Sequence, residues 1–337
     1  MRAASGFDDE GTSVMTVLQR ETSPGTAALT RKVLAFVNPN SGSCLAEIVR
    51  ETLTRVLNEQ GIEVEIREPT EDPKALSALI QTAESEGIGW VVAAGGDGTV
   101  SAVADALAGR NLPLGVIPLG TANVLARELG IPVDLDGAVA LLIGPNRVRV
   151  IDALKVNGRH YLTQLGVGLD ALMIRDTKTE HKRRFGRLAY LWTASRSLVG
   201  FQPCRFDLTL DGRTVRVNAS QIVVANTGMM GQPPLRWGPD IEPDDGTVDV
   251  CVVRARTLTH YLSLVWSVLT GRQKMNRNVR YFHAKHHLEI KTKHPHLTQA
   301  DGEIIGETPI RIDVVAGAIG VIVPVMTETA AQPTGPP

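Results

Sequence analysis

The chain has 337 residues, 43% of them hydrophobic and 21% charged, with 35 Lys and Arg against 36 Asp and Glu. That length asks for two domains, and that composition excludes a disordered or membrane-embedded chain. The formal net charge of -1 gives no global field to recruit nucleic acid, so no nucleic-acid partner is expected and any anionic surface must be met by a local basic patch.

Residues 1–30 carry Asp8, Asp9 and Glu10 where a secretory leader needs cations and an apolar run, and they read as a disordered tail. From residue 31 to 150, short β-branched runs alternate with helical periodicity, the pattern of an open, mostly parallel α/β sheet. Strands are predicted at 33–37, Glu63–Arg67, 90–94 and Leu114–Pro118. Leu45, Ile48, Val49, Leu53, Val56 and Leu57 recur at three- and four-residue steps and predict one apolar helix face. Asp72 and Pro73 mark a cap and first turn, with Leu76, Leu79, Ile80 and Ala83 continuing that helix inward. Further helices are predicted near 100–107 and 124–129.

Beyond residue 150 the runs are separated by the hairpin signals Asn157-Gly158 and Asp211-Gly212, so the segment 151–316 reads as mainly antiparallel β. Its strands include Gln221–Ala225, 247–253, 279–291 and 310–315, with helical insertions near 183–199 and Leu258–Leu269. Residues 317–325 are expected to return to the first domain, and 326–337 to form a second disordered tail. No run approaches the roughly 20 apolar residues of a membrane-spanning helix. Cys44, Cys204 and Cys251 are too few and too widely spaced for a disulfide framework or zinc site, which suits a reducing cytoplasm.

The chemistry concentrates where strands meet loops. Trp90-Val-Val-Ala-Ala-Gly-Gly-Asp-Gly-Thr99 is a buried strand running through three glycines into a helix, a geometry that offers backbone N–H groups and a favourable dipole to phosphates. Two more strands end in polar, glycine-containing loops, Asn38-Pro39-Asn40-Ser41-Gly42 and Leu119-Gly120-Thr121-Ala122-Asn123. In a parallel sheet all three emerge at the carboxyl edge, where open α/β sheets bind ligands. Other signals are weaker. Cys44 and Arg50 have the spacing of a phosphatase loop, yet 45–49 reads as a helix face. Gly166, Gly168 and Ala171 imitate a dinucleotide fingerprint without a βαβ unit around them. His283, His286, His287, His294 and His296 crowd together on a strand-and-turn pattern that points to solvent.

Six motifs, in order, resemble the bacterial diacylglycerol kinase-like lipid kinases, relatives of sphingosine and ceramide kinases. They are NPNSG from Asn38, GGDGT from Gly95, PLGTANVLAR from Pro118, GVGLDA from Gly166, DDGTVDV from Asp244 and DGE from Asp301, over roughly residues 32–324. The resemblance implies a nucleotide-binding α/β domain over 31–150 followed by a lipid-binding β-sandwich domain over 151–316, and an ATP- and Mg2+-dependent kinase, with diacylglycerol or a similar membrane lipid as acceptor and ATP and lipid meeting between the two domains. On this carry-over Asn38, Pro39, Asn40, Ser41, Gly42, Thr70, Gly95, Gly96, Asp97, Gly98, Thr99, Val100, Ser101, Thr121 and Asn123 surround ATP. Glu303 would be the base, with Asp301 beside it in the catalytic tripeptide and Asp97 as rival for the same role. Asp245 would hold a structural Mg2+, helped by carbonyls near Glu242 and Thr247.

Ser101-Ala102 and Asn123-Val-Leu-Ala-Arg127 depart from the pairs that many relatives carry, which leaves the choice of lipid open. The alternatives are a soluble-metabolite kinase of the NAD-kinase type and a non-catalytic nucleotide-binding regulator. Basic residues beside apolar stretches, Arg175 to Trp192 and Tyr261 to Arg280, suit peripheral contact with an anionic membrane. The expected location is the cytoplasm, at the inner face of the membrane; a homodimer is left open.

Overall fold

Three apolar runs and one edge strand that alternates charged with apolar residues build the first half around a parallel sheet. The computed structural model describes residues 32–41, 43–168, 171, 203–231, 233 and 235–325. Strands β1 (Lys32–Val37), β2 (Glu63–Arg67), β3 (Trp90–Gly95) and β4 (Leu114–Pro118) pair in parallel in the order β2-β1-β3-β4. Every residue of β3 and β4 is buried, as expected for strands covered on both faces. The cover comes from α1 (Ser43–Glu59), α2 (Pro73–Ser85), α3 (Asp97–Leu107), α4 (Val124–Glu128) and α5 (Leu135–Ile143).

Asp72 caps α2 by accepting the Lys74 N–H, with Pro73 in the first turn. The buried stripe of α1 is Ala46, Val49, Leu53 and Leu57, whereas Leu45 and Ile48, expected on that face, are 36% and 45% exposed. Helix α5, absent from the predicted elements, begins where the Asp134 carboxylate accepts the Gly137 N–H and packs on β4.

The second half is a sandwich of antiparallel strands. One face is the six-stranded sheet β12-β11-β10-β7-β14-β15. These strands are β7 (Gln164–Gly168), β10 (Gln221–Ala225), β11 (Val248–Val253), β12 (Val279–Ala284), β14 (Leu297–Ala300) and β15 (Glu303–Glu307). The other face is formed by β13 (His287–Thr292), β8 (Cys204–Leu210) and β9 (Arg213–Ala219). Leu165, Val167, Ile222 and Val250 from the first sheet meet Phe206, Leu208, Leu288 and Ile290 from the second in one core.

Both sequence-marked hairpins form. Asn157-Gly158 joins β5 (Asn146–Val156) to β6 (Arg159–Tyr161), and Asp211-Gly212 joins β8 to β9, with positive φ at all four residues (51°, 84°, 46° and 84°). The single run expected over 279–291 is instead two strands in different sheets. The Asp211 carboxylate makes the break, accepting the N–H groups of Lys285, His286 and His287 at 2.7, 2.9 and 2.9 Å.

The two halves are stitched by the fifteen-residue β16 (Ile310–Pro324). It pairs with β13 at one end, with β5 along most of its length, and in parallel with β4 at Val321, making one continuous ten-stranded sheet. The boundary drawn at 150/151 therefore falls inside β5. A further helix, α6 (Leu258–Leu269), connects β11 to β12. Among the described residues no helix is long and apolar enough to cross a membrane. The expected tails and the helix expected near 183–199 lie outside the described residues.

Candidate active site

The glycine loop after β3 is dictated by close approach. A Cβ on Gly95 would lie 2.5 Å from the side chain of Thr99 in the turn that follows it, and one on Gly120 would lie 2.8 Å from the Gly96 Cα, so the second and third loops touch backbone to backbone only because residue 120 is glycine. Helix α3 starts at Asp97 rather than near Val100, which puts Gly98 and Thr99 in its first turn. The Thr99 N–H is taken by the Gly96 carbonyl at 3.0 Å, whereas the amides ahead of it, of Asp97 and Gly98, come too early in the helix for an intrahelical partner and can meet an anion.

The Asn38 amide reaches over from the end of β1 and donates to the Thr99 hydroxyl at 2.7 Å, while its oxygen accepts the Asn40 N–H at 2.9 Å. A cleft of about 470 Å³ results, lined by Asn38, Asn40, Ser41, Gly96, Gly98, Thr99, Leu119 and Gly120.

Asp97 is engaged elsewhere. Its two carboxylate oxygens accept the N–H groups of Asn123 (2.9 Å) and Val124 (2.6 Å), fixing the start of α4. Asn123, at φ 48°, in turn exchanges two 2.9 Å hydrogen bonds with the Gly120 backbone. Asp97 thus ties the second glycine loop to the third.

Asp301 is the corresponding tie between the two halves. Its carboxylate accepts three backbone N–H groups, of Leu162 (2.9 Å), Thr163 (3.0 Å) and Gln164 (3.1 Å). It also accepts the hydroxyls of Thr163 (2.5 Å) and of Ser101 on α3 (3.0 Å). With both oxygens occupied, Asp301 is a clamp rather than a proton acceptor. Its positive φ of 46° turns the chain so that Glu303 follows at the start of β15.

Glu303 keeps a half-exposed carboxylate, and a Cβ on Gly98 would sit 3.8 Å from its Oε1. The residue from the sandwich and the glycine loop of the α/β half therefore face one another. Beside them the Arg159 guanidinium lies 3.8 Å from Glu303 Oε2, 3.4 Å from Asp105 and 5.5 Å from the centre of the Tyr161 ring. Asp105, on α3, also accepts the His160 backbone N–H at 2.7 Å and meets its ring at 3.0 Å. Burial pushes the Asp105 carboxyl up, but the His160 bonds and the Arg159 charge outweigh it and hold it below the usual range. Burial pushes the Tyr161 hydroxyl up. A second clamp between the halves pairs Arg236 with the buried Glu128 at 2.9 Å.

Residues 32–156 match the diacylglycerol kinase catalytic domain, and residues 163–323 match the YegS C-terminal NAD kinase β-sandwich-like domain. The chain belongs to the diacylglycerol kinase-like lipid kinase family. It is 29% identical to the diacylglycerol kinase of Bacillus subtilis over 286 residues, 83% of this chain and 92% of that one. It is also 29% identical over 256 residues to a Synechocystis protein of unassigned activity, spanning 75% of this chain and 59% of that longer one. A crystal structure described as a diacylglycerol kinase from Bacillus anthracis superposes with a TM-score of 0.72 at 25% identity, over 87% of this chain and 97% of that one.

Within this kinase fold the predicted residues divide. Asn38, Asn40, Ser41, Gly96, Gly98 and Thr99 come together in the cleft, with Gly95 immediately behind them. Val100 is core, the Ser101 hydroxyl serves Asp301, and the Thr70 hydroxyl accepts the Asp72 N–H at 3.3 Å. Pro39 and Thr121 are exposed at the rim of their loops, and Gly42 lies outside the described residues.

Leu119 and Gly120 line the cleft and were not among the expected contacts, although they sit inside the PLGTAN motif. Arg159 was also missed; nothing in the hairpin sequence around it signals a role. Cys44 is exposed on α1.

The loop expected to hold a metal is organised by protein groups. Asp245 Oδ1 accepts both the N–H and the hydroxyl of Thr247 at 2.8 Å. Arg149 grips Glu242 (3.1 Å) and Asp244 (2.6 Å), and these acidic bonds raise its pKa above the usual arginine value despite burial. Below them Asp152, 2% exposed, accepts the Gly246 and Gly317 N–H groups at 2.7 and 2.8 Å, and burial raises its pKa. Among the described residues no group of three or more His, Cys, Asp or Glu side chains gathers as a metal site. That includes the histidines between 283 and 296, of which His283 lies 3.1 Å from Asp249.

Proposed function

We propose that the chain transfers the γ-phosphate of ATP to the hydroxyl of diacylglycerol or a closely similar lipid alcohol. The observation that carries this reading is the approach of Glu303 to Gly98, which sets a half-exposed carboxylate against a helix N-terminus lined for phosphate.

In this mechanism the phosphates lie in the 470 Å³ cleft against the first-turn amides of α3. The acceptor hydroxyl gives its proton to Glu303 as its oxygen bonds to the γ-phosphorus; the bond from that phosphorus to the β,γ-bridging oxygen breaks, and ADP leaves. Asp97 acts by positioning the loops, and Asp301 by holding the turn that presents Glu303. Arg159, 3.8 Å from Glu303, offers positive charge where charge shifts onto the transferred group.

Mg2+ accompanying the nucleotide would neutralise phosphate charge. For a structural Mg2+, Asp245 Oδ2 and neighbouring carbonyls fit a hydrated ion, because Oδ1 alone is engaged by Thr247. Glu242 would contribute its carbonyl only, its carboxylate being paired with Arg149. Chelation that lowers the melting temperature of the wild type but not of Asp245→Ala would support this site.

The test of the main reading is transfer of label from γ-labelled ATP to diacylglycerol dispersed in vesicles, with NAD as a competing acceptor. Label in the lipid fraction supports the reading. Label on NAD alone would move the chain to the metabolite kinases whose β-sandwich its second half resembles. Tight ATP binding with no transfer would leave the regulator.

A further inference from the structure

Helix α6 exposes an apolar face that the sandwich does not use. Leu262, Val265, Trp266 and Leu269 are 59%, 54%, 70% and 52% exposed, at the three- and four-residue spacing of one helix face. Met275, in the turn that follows, is 79% exposed. This is a built surface. The buried Asn276 donates to the Ser263 carbonyl at 3.1 Å and the Ser267 hydroxyl at 2.9 Å, and Gln273, 3% exposed, donates to the Arg236 carbonyl at 3.3 Å. The turn is thereby fastened to the helix on one side and to the body of the protein on the other.

The charge carried by the helix and its flanking segments is of one sign. Residues 254–280 contain Arg254, Arg256, Arg272, Lys274, Arg277 and Arg280 and no Asp or Glu, in a chain whose net charge is -1. Lys274 pairs with Asp240; none of the five arginines pairs with a described carboxylate. Arg272 and Arg277 line a depression of about 370 Å³ together with Trp266 and Met275, so cationic heads and apolar side chains share one patch.

We infer that this patch, α6 with the turn through Arg280, is the surface by which the kinase docks on an anionic phospholipid bilayer. The inference deepens the lipid-kinase reading and rests on it for the choice of a bilayer over a protein partner. The complementarity is physical: an indole and aliphatic side chains enter the boundary between headgroups and acyl chains, while guanidinium groups meet lipid phosphates. The patch recruits and does not react. Helix α6 leaves the sheet after Val253, which pairs with Gln221 and through it with Gly168. The turn to Glu303 leaves after Ala300, which pairs with Leu165 at the opposite end of the same strand. The separation of these two positions along the strand, three residues at about 3.3 Å each, is roughly 10 Å. The second basic stretch, Arg175 to Trp192, lies outside the described residues.

The experiment is co-sedimentation of the full chain with vesicles of phosphatidylcholine alone and of equal parts phosphatidylcholine and phosphatidylglycerol. It needs no catalytic turnover, so its outcome is separable from that of the kinase assay. The wild type should bind the anionic vesicles and release them as salt rises, since the Debye length is only about 8 Å at physiological ionic strength. Each cation removed should cost about fivefold in partitioning. Arg272→Glu with Arg277→Glu should therefore lower it by more than tenfold, and Trp266→Ser with Leu269→Ser by about tenfold or more. All four positions are exposed, so the melting temperature and ATP binding should stay unchanged. Sedimentation indifferent to phosphatidylglycerol, or equal for wild type and both double variants, would overturn the inference. Concentration-dependent self-association abolished by Trp266→Ser, without vesicle binding, would overturn it too and give the face to a second copy of the chain.

Discussion

Replacing Asp301 should separate its role as a clamp from that of Glu303 two residues later. In Asp301→Asn, the remaining carbonyl oxygen can keep the Thr163 and Gln164 N–H groups, now at 3.0 and 3.1 Å, and asparagine tolerates the φ of 46°. The new amide nitrogen then faces the Ser101 hydroxyl, which can rotate to accept, and the Leu162 N–H, which cannot. One unsatisfied donor beside a residue only 2% exposed costs about 1–3 kcal/mol, and losing the ionic character of the remaining bonds about 1 kcal/mol more. The variant should lose about 2–4 kcal/mol, a fall in melting temperature of roughly 3–6 °C for a chain of this length. Ser101→Ala, which removes a single donor from the same carboxylate, should cost no more than about 1.5 kcal/mol. Thermal denaturation by circular dichroism reads both. Turnover on lipid should fall further in Asp301→Asn than ATP affinity does, because the turn presenting Glu303 loosens while the nucleotide cleft lies on other loops. An Asp301→Asn protein that melts within ~1 °C of wild type would refute the clamp.

Two further outcomes follow from the same geometry. Asp97→Ala removes both acceptors at the start of α4, at about 1–2 kcal/mol, and should raise the KM for ATP more than it lowers kcat; a collapse of kcat at unchanged ATP affinity would make Asp97 the base. The Asp211 carboxylate is pushed up by burial but held down to about 2 by the N–H groups of His287, Lys285 and His286. Because its folded-state value is depressed, its contribution is complete above roughly pH 4 and lost as pH falls toward 2. The stability gap between wild type and Asp211→Ala should close over that window, and a gap of constant size from pH 7 to 2 would contradict it.

Much of the fold was legible because local writing and tertiary role agree in β1, β3 and β4, where unbroken apolar runs mean strands covered on both faces. Asn157-Gly158 and Asp211-Gly212 were equally plain, since each dipeptide suits a turn with two positive φ values. Helix α5 was missed because eight near-continuous apolar and glycine positions within Leu135–Ile143 leave little polar face to mark the period. The division of 279–291 into strands of two sheets was invisible for another reason. Its cause, the Asp211 carboxylate, lies more than 70 residues away in sequence.

The cleft shows the same limit. The strand-end loops announced Asn38, Asn40, Ser41 and the glycines, but not which groups would be consumed in holding the loops together. Asp97 and Asp301 looked like reactive carboxylates; accepted backbone N–H groups, which no motif displays, are what occupy them. Arg159 is near Glu303 only because Asp105 on α3 fixes the β5–β6 hairpin.

The central claim is that Glu303, facing the glycine loop across the two halves, takes the proton of a lipid hydroxyl. It is tested most directly by a single turnover of Glu303→Gln with ATP already bound, following labelled phosphate into diacylglycerol vesicles. Glutamine keeps the size and loses the base, so transfer should fall about 100-fold or more while calorimetric ATP affinity holds. Transfer at the wild-type rate, or an equal loss of ATP affinity, would contradict the assignment.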